Sequence, residues 1–367
     1  MPIRAAKRAE AARLKALFEA EGAQAVEAAI LLPAETLLDL YGEDIRARAY
    51  VTSDALRGEQ MLRPDFTVPV VQMHMDHGAE PARYTYAGEV FRRQEDDAAR
   101  ANEYLQVGYE IFDRDNPAAA DAEVFALIEG TLKGLPVRAA SGDIGILTAA
   151  VAGLHTTDRR KEALMRHIWR PKRFRALIER FSGRVEVPPT RQALLAALEP
   201  LENLPPAIGL RTRDEIGKRI TALHEDAVAA PISKAEVELM EAILSVRQTV
   251  PNAVERLRDI AVDMPAISTA VERLADRADA MAVRGVDVDK LEFEASYGRS
   301  HMEYYDGFVF GFYAVGRPDL PAVASGGRYD ALTRRLGQGD EIPAVGGVVR
   351  PGLMLELSEE LAKGDGA

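Results

Sequence analysis

Between Glu103 and Phe112 the chain reads Glu-Tyr-Leu-Gln-Val-Gly-Tyr-Glu-Ile-Phe. With a strand's period of two, Leu105, Val107, Tyr109 and Ile111 face one side and suit a core. Tyr104, Gln106, Gly108, Glu110 and Phe112 face the other, so a carboxamide and a carboxylate flank a glycine. Their Cα atoms are expected roughly 13 Å apart at the usual strand rise. Glycine in a strand interior lets another group approach the backbone closely. Two arrangements answer this pattern: a half-exposed strand whose polar face meets water, or the floor of a small polar pocket.

A second stretch repeats the pattern. From Tyr304 to Val315, Phe308, Phe310 and Phe312 share a face with Tyr304, while Tyr305, Gly307, Val309 and Gly311 share the other. Val323 to Tyr329 adds a third glycine-bearing strand. Together they predict one sheet with a ligand lying on its glycine side.

The elements that must hold these strands can be read in order. Arg4 to Glu21, rich in Ala, Leu, Glu and Lys, predicts an amphipathic helix. Pro33 fits a strand edge or a first helical turn, and Arg46 to Ser53 is strand-like. Leu62 to Thr67 reads as a turn, and Val68 to His77 as a helix with Pro69 in its first turn. Arg83 to Arg92 predicts a strand joined by the polar run Arg92 to Asn102 to the strand at 103–112, a hairpin. From Arg159 to Ala282 apolar residues recur at three- and four-residue spacing, punctuated by Pro188-Pro189 and Pro205-Pro206. This predicts a helical insertion domain over residues 154–284, set into a core formed by 1–153 and 285–367. Strand character returns at Leu291 to Tyr297, and a short helix is expected from about Pro351.

Composition narrows the class. The 367 residues contain no long apolar run and no apolar segment behind the basic start, which predicts a soluble chain without a secretory signal and with no membrane partner. With 0 cysteines, disulfides and thiolate metal sites are excluded, and a reducing cytoplasm is expected. The 6 histidines lack metal-ligand spacing, so no metal is expected. Lys+Arg 46 against Asp+Glu 58 leaves a net charge of −12, which argues against nucleic acid as a main partner.

Four segments in order resemble the catalytic core of class II histidyl-tRNA synthetase: Leu62-Arg63-Pro64-Asp65-Phe66-Thr67; Gly88-Glu89-Val90-Phe91-Arg92; Leu105-Gln106-Val107-Gly108-Tyr109-Glu110; and Tyr304-Tyr305-Asp306-Gly307-Phe308-Val309-Phe310 with Gly326-Gly327-Arg328-Tyr329-Asp330. The resemblance covers about residues 5–150 and 285–357. It implies an α+β fold, an antiparallel sheet flanked by helices, and a dimer interface near Pro33. It also implies an amino-acid pocket. Asp65, Thr67 and Gln106 would hold an α-amino group, with Gln106 also near the carboxylate. Glu110 and Tyr305, with Tyr304 a weaker candidate, would address an imidazole, and Arg92 would sit at the carboxylate end.

The departures are equally informative. Leu353 stands where the synthetase places an ATP-binding arginine, with Arg350 about one helical turn away beyond a proline. Ser300 stands at the catalytic arginine's place, with Arg299 one residue off, and Gln94 replaces an acid of the second motif. Removing one donor that stabilises developing charge costs about 10²–10³ in rate, so no catalytic residue and no cofactor is expected. The anticodon-binding domain is also missing from the resemblance. A synthetase core of this kind resembles the regulatory subunit of the short-form ATP phosphoribosyltransferase. That resemblance implies a homodimer within a hetero-octamer, the short catalytic subunit as partner, and L-histidine as feedback effector in the first step of histidine biosynthesis. The alternatives are a divergent histidyl-tRNA synthetase or free-standing ATP-dependent amino-acid ligase, and a synthetase-like module serving another partner.

Overall fold

The structure is a computed structural model, and it describes residues 3–41, 48–94, 100–202, 209–298 and 304–364. Helix α1 (Arg4–Ala20) buries Ala11, Leu14 and Phe18 on one stripe and ends before Gly22, whose φ of 91° reverses the chain. Phe18 meets Tyr109 of the sheet at 5.3 Å between ring centroids. Strand β1 (Gln24–Ala25) leads to a small antiparallel sheet of β2 (Leu31–Pro33), β3 (Val51–Asp54) and β4 (Gly58–Leu62), with β4 central. Pro33 closes β2, and α2 (Ala34–Tyr41) starts at the next residue. The strand expected over 46–53 is found at β3; residues 42–47 lie outside the described residues. Helix α3 (Thr67–His77) carries Pro69 in its first turn, as expected.

The hairpin of β5 (Ala82–Phe91) and β6 (Glu103–Phe112) pairs Phe91 with Glu103 through to Ala82 with Phe112. From Gln106 onward β6 is buried on both faces, so the half-exposed arrangement is excluded. Next come α4 (Pro117–Thr131), β7 (Val137–Asp143) and α5 (Ile144–Gly153). Helices α6 (Asp158–Arg166), α7 (Pro171–Phe181), α8 (Pro189–Ala196), α9 (Arg213–Val228), α10 (Lys234–Leu244), α11 (Val250–Asp263) and α12 (Ser268–Val283) fill the helical region. Between α10 and α11 lies β8 (Arg247–Thr249), which pairs with β9 (Glu292–Glu294) and so joins the main sheet. The chain returns through β10 (Phe308–Ala314), β11 (Ala324–Arg328), α13 (Asp330–Leu336), β12 (Ala344–Val349) and α14 (Pro351–Gly364).

Among the described residues the main sheet has nine strands in the order β1-β5-β6-β12-β11-β10-β7-β9-β8. The six from β5 to β7 are antiparallel, and only the flanking pairs β1·β5 and β7·β9 are parallel. The aromatic face of β10 forms the core: Phe308, Phe310 and Phe312 each approach Phe125 of α4 at 5.2–6.3 Å between centroids.

One expectation needs correcting. β10 begins at Phe308, four residues later than the expected strand, so Tyr304 lies before the strand and does not share the Phe308 face. The reason is Asp306, whose carboxylate accepts the N–H groups of Asp330 (3.0 Å) and Ala331 (2.6 Å) at the start of α13. This ties the Tyr304–Gly307 segment to a helix end instead of a strand ladder.

Candidate ligand pocket

Glu110 is 1% exposed, and no cation forms an ion pair with it among the described residues. Its partners are three hydroxyls. Tyr329 Oη donates to Oε2 at 2.6 Å, while Tyr86 Oη (2.7 Å) and Thr67 Oγ1 (3.2 Å) donate to Oε1. Burial outweighs these donors and pushes the carboxyl up to about 7. Burial also pushes the Tyr86 and Tyr329 phenols well above their usual value, so both remain donors at neutral pH. Phe66 stacks on Tyr86 at 4.3 Å and Arg63 lies 4.0 Å over Phe66, which fixes the Tyr86 ring.

Two glycines make this arrangement possible. Gly346 pairs with Glu110 across the β12–β6 ladder, and a Cβ there would overlap the Glu110 carboxylate. Gly108 pairs with Tyr86, and a Cβ there would overlap its phenol ring. The group admitted close to the Gly108 backbone is thus a neighbouring tyrosine.

From Glu110 a cavity of about 1320 Å³ opens, and Asp65, Thr67, Arg92, Gln106, Glu110, Tyr304 and Tyr305 all line it. Gln106 is 1% exposed, and its Oε1 has no hydrogen-bond partner among the described residues. Asp65 is buried, with Oδ2 3.9 Å from the Arg92 guanidinium, whose Nε donates to the Pro64 carbonyl at 2.7 Å. Thr67 opens α3 but makes no cap; its hydroxyl is committed to Glu110. The Tyr304 ring meets Tyr305 at 4.7 Å and Tyr329 at 6.2 Å. Burial, then the Glu110 charge, push the Tyr305 phenol up. The closed end is therefore a carboxylate framed by phenols, and the open end carries cations.

Sequence reasoning missed Tyr86 and Tyr329 as the phenol donors behind Glu110. Both pairings depend on cross-strand register, for which the sequence offered no signal. It set Arg350 about one helical turn from the position of the synthetase's ATP-binding arginine. Arg350 links β12 to α14, donates to the Ala322 carbonyl at 2.7 Å and to Ser325 Oγ at 3.3 Å, and lines the cavity with Leu353. Ser300 and Arg299 lie outside the described residues. Among the described residues no group of three His, Asp or Glu could hold a metal, and no helix is long and apolar enough to cross a membrane.

Comparison with known proteins accounts for the sheet. The chain matches the histidyl-tRNA synthetase family over residues 1–215 and 216–351. A Bacillus halodurans structure described as an ATP phosphoribosyltransferase regulatory subunit/histidyl-tRNA synthetase superposes with a TM-score of 0.68 at 21% identity, covering 96% of this chain and 79% of that one. A histidine–tRNA ligase subunit from Alicyclobacillus acidocaldarius gives 0.60 at 22% identity, covering 97% and 94%. The mostly antiparallel sheet with its flanking helices is thus the class II, histidyl-tRNA synthetase-like fold. Sequence relatives are more specific: proteins of Brucella canis and Brucella melitensis biotype 1, both called ATP phosphoribosyltransferase regulatory subunit, are 30% identical over 354 residues, spanning 91% of this chain and 93% and 92% of theirs. The chain belongs to the family of ATP phosphoribosyltransferase regulatory subunits.

Proposed function

We propose that this chain is a non-catalytic, histidine-sensing subunit that binds and activates the short catalytic subunit of ATP phosphoribosyltransferase, within a cytoplasmic hetero-octamer built on its own homodimer. It carries feedback inhibition by L-histidine in the first step of histidine biosynthesis. The observation that supports this most directly is the buried Glu110 with three hydroxyl donors and, among the described residues, no cation paired to it. A carboxylate offers about four acceptor positions, so one remains for a ligand N–H. An imidazole supplies one N–H in that direction and is flat enough to lie against Tyr304 and Tyr305, which line the cavity. The α-amino group then meets Asp65, Thr67 and the open Gln106 Oε1, and the carboxylate meets Arg92. Residues 1–153 and 285–367 carry this pocket, and 154–284 serve as the helical insertion.

The test is a reconstituted complex. With this chain present, the short catalytic subunit should turn over faster, and histidine should inhibit it; alone, it should be slow and much less sensitive. A coupling of about 1–3 kcal/mol, usual for allosteric pairs, corresponds to roughly 5- to 150-fold in binding. Equal activity and equal inhibition without this chain refute the assignment.

Arg350 and Arg92 on one cavity wall favour a second reading, an ATP-dependent amino-acid ligase. The purified protein is expected to show no histidine-dependent ATP–pyrophosphate exchange, because Leu353 occupies the place of a phosphate-binding cation. Robust exchange that is lost in Arg92→Ala establishes the ligase instead.

A further inference from the structure

Arg277 stands in the middle of α12, in the helical region, yet only 3% of it is exposed. Its guanidinium bridges two carboxylates, 2.7 Å to Asp143 Oδ2 at the start of α5 and 3.3 Å to Asp121 Oδ2 on α4, and lies 4.3 Å over the Phe308 ring. The other Asp121 oxygen is taken by Arg328 at the end of β11, at 2.7 Å from one terminal nitrogen and 3.1 Å from Nε. Arg328 also donates to Asp330 Oδ1 at 3.0 Å, and that oxygen accepts the Ala344 N–H of β12 at 2.8 Å. The Arg328 carbonyl accepts the Asp306 N–H at 3.1 Å.

This network ends on the pocket from two directions. Asp306 follows Tyr305 in the chain, and Tyr329 follows Arg328 and is the 2.6 Å donor to Glu110. One carboxylate, Asp121, is shared by two guanidiniums from separate elements. In a buried setting, neither arginine can leave without stranding a charge. A shift of β11 therefore has to be matched by Asp121 and by Arg277. A second tie runs alongside: Glu123, also on α4, accepts from Arg284 at the end of α12 (2.9 Å) and from Tyr109 on β6 (2.7 Å).

We propose that Arg277 is a positioning residue for the ligand pocket, and that the relay Arg277–Asp121–Arg328 carries pocket occupancy into α12 and so into the helical region. The proposal rests on the reading of the pocket as a histidine site, but its test has an arm that does not. Spatial continuity alone does not establish coupling; two-way response does.

The experiment uses the full chain and hydrogen–deuterium exchange, first without ligand. Arg277→Met is expected to speed exchange over residues 324–336, and Tyr329→Phe to speed it over 268–283, far from the lost hydroxyl. Histidine titration then gives Kd for each variant and the double variant. Each single change should weaken binding about 5- to 20-fold, and the double change should add little, because both remove the same coupled contact. Arg277→Lys, which keeps the charge, should recover part of the affinity. A purely structural role for Arg277 gives a different result: exchange changes confined to α12 and α4, and multiplicative losses in the double variant. That result overturns the proposal. Should Arg277→Met fail to fold, Asp121→Asn keeps the side-chain shape and is read in the same cycle. If the wild-type chain binds no histidine, the histidine reading fails, and the reciprocal exchange response alone decides the relay.

Discussion

Glu110→Gln is expected to bind histidine roughly 10- to 150-fold more weakly than the wild type, the worth of one charge-assisted hydrogen bond at about 1.5–3 kcal/mol. The same variant should be the more stable protein without ligand at pH 8. The Glu110 carboxyl is pushed up to about 7 from an ordinary 4.5 by burial. Between those values the folded chain binds a proton that the unfolded chain does not. On this group's account stability therefore rises as pH falls from about 7 towards 4.5, and above 7 the ionised carboxylate costs its full penalty. At 1.36 kcal/mol per pH unit the penalty is on the order of 3 kcal/mol. Glutamine removes it. Thermal melts of both proteins from pH 5 to pH 8, with and without histidine, should show the variant's advantage shrinking towards pH 5, and a smaller stabilisation by histidine in the variant than in the wild type at equal ligand concentration. A Glu110→Gln protein that binds histidine with unchanged affinity would place the ligand elsewhere.

The second large effect is expected from the smallest substitution. Gly346→Ala puts a methyl where the Glu110 carboxylate lies. Backbone on the neighbouring strand cannot give way, so the carboxylate must turn and lose its Tyr329 and Tyr86 donors. Overpacking costs about 1–3 kcal/mol, and each lost hydrogen bond to a charged group about 1.5–3 kcal/mol, so the chain should lose roughly 3 kcal/mol or more. Histidine binding should fall below detection. Glu110→Ala in the Gly346→Ala background removes the collision and should restore part of the stability without restoring binding, a non-additive pair. The check is denaturant unfolding of the three variants beside calorimetric titration. A Gly346→Ala protein with wild-type stability and affinity contradicts the geometry.

How much of this was legible in the sequence differs from residue to residue. The strand at 103–112, its hairpin with 82–91 and helix α1 follow from periodicity, because their apolar spacing is regular over ten or more residues. Seven expected pocket residues line one cavity: Gln106 and Glu110 lie on β6, Arg92 follows β5, Asp65 and Thr67 sit at the entry to α3, and Tyr304 and Tyr305 sit on the segment leading into β10. Tyr86 and Tyr329 were not legible as partners of Glu110, because which side chains meet across strands depends on register, which one strand's pattern does not contain. The late start of β10 depends on Asp306 capping a helix that begins 24 residues further on. β8 has only three residues, too few to show a period within a helical stretch.

The strand order has a consequence for how the chain comes to be folded. Tyr329 reaches Glu110 across 219 positions of sequence, and β12 arrives later still. During synthesis the β5–β6 hairpin can form early from local contacts, but its central strand then waits with one edge unpaired until β12 has been made. Non-local pairing of this kind slows folding, because loop closure must precede the contacts that reward it. Unpaired edges exposed in the interval are the segments most prone to aggregation. The Glu110 charge on that waiting strand, costly once buried, keeps the nascent edge polar until β12 covers it.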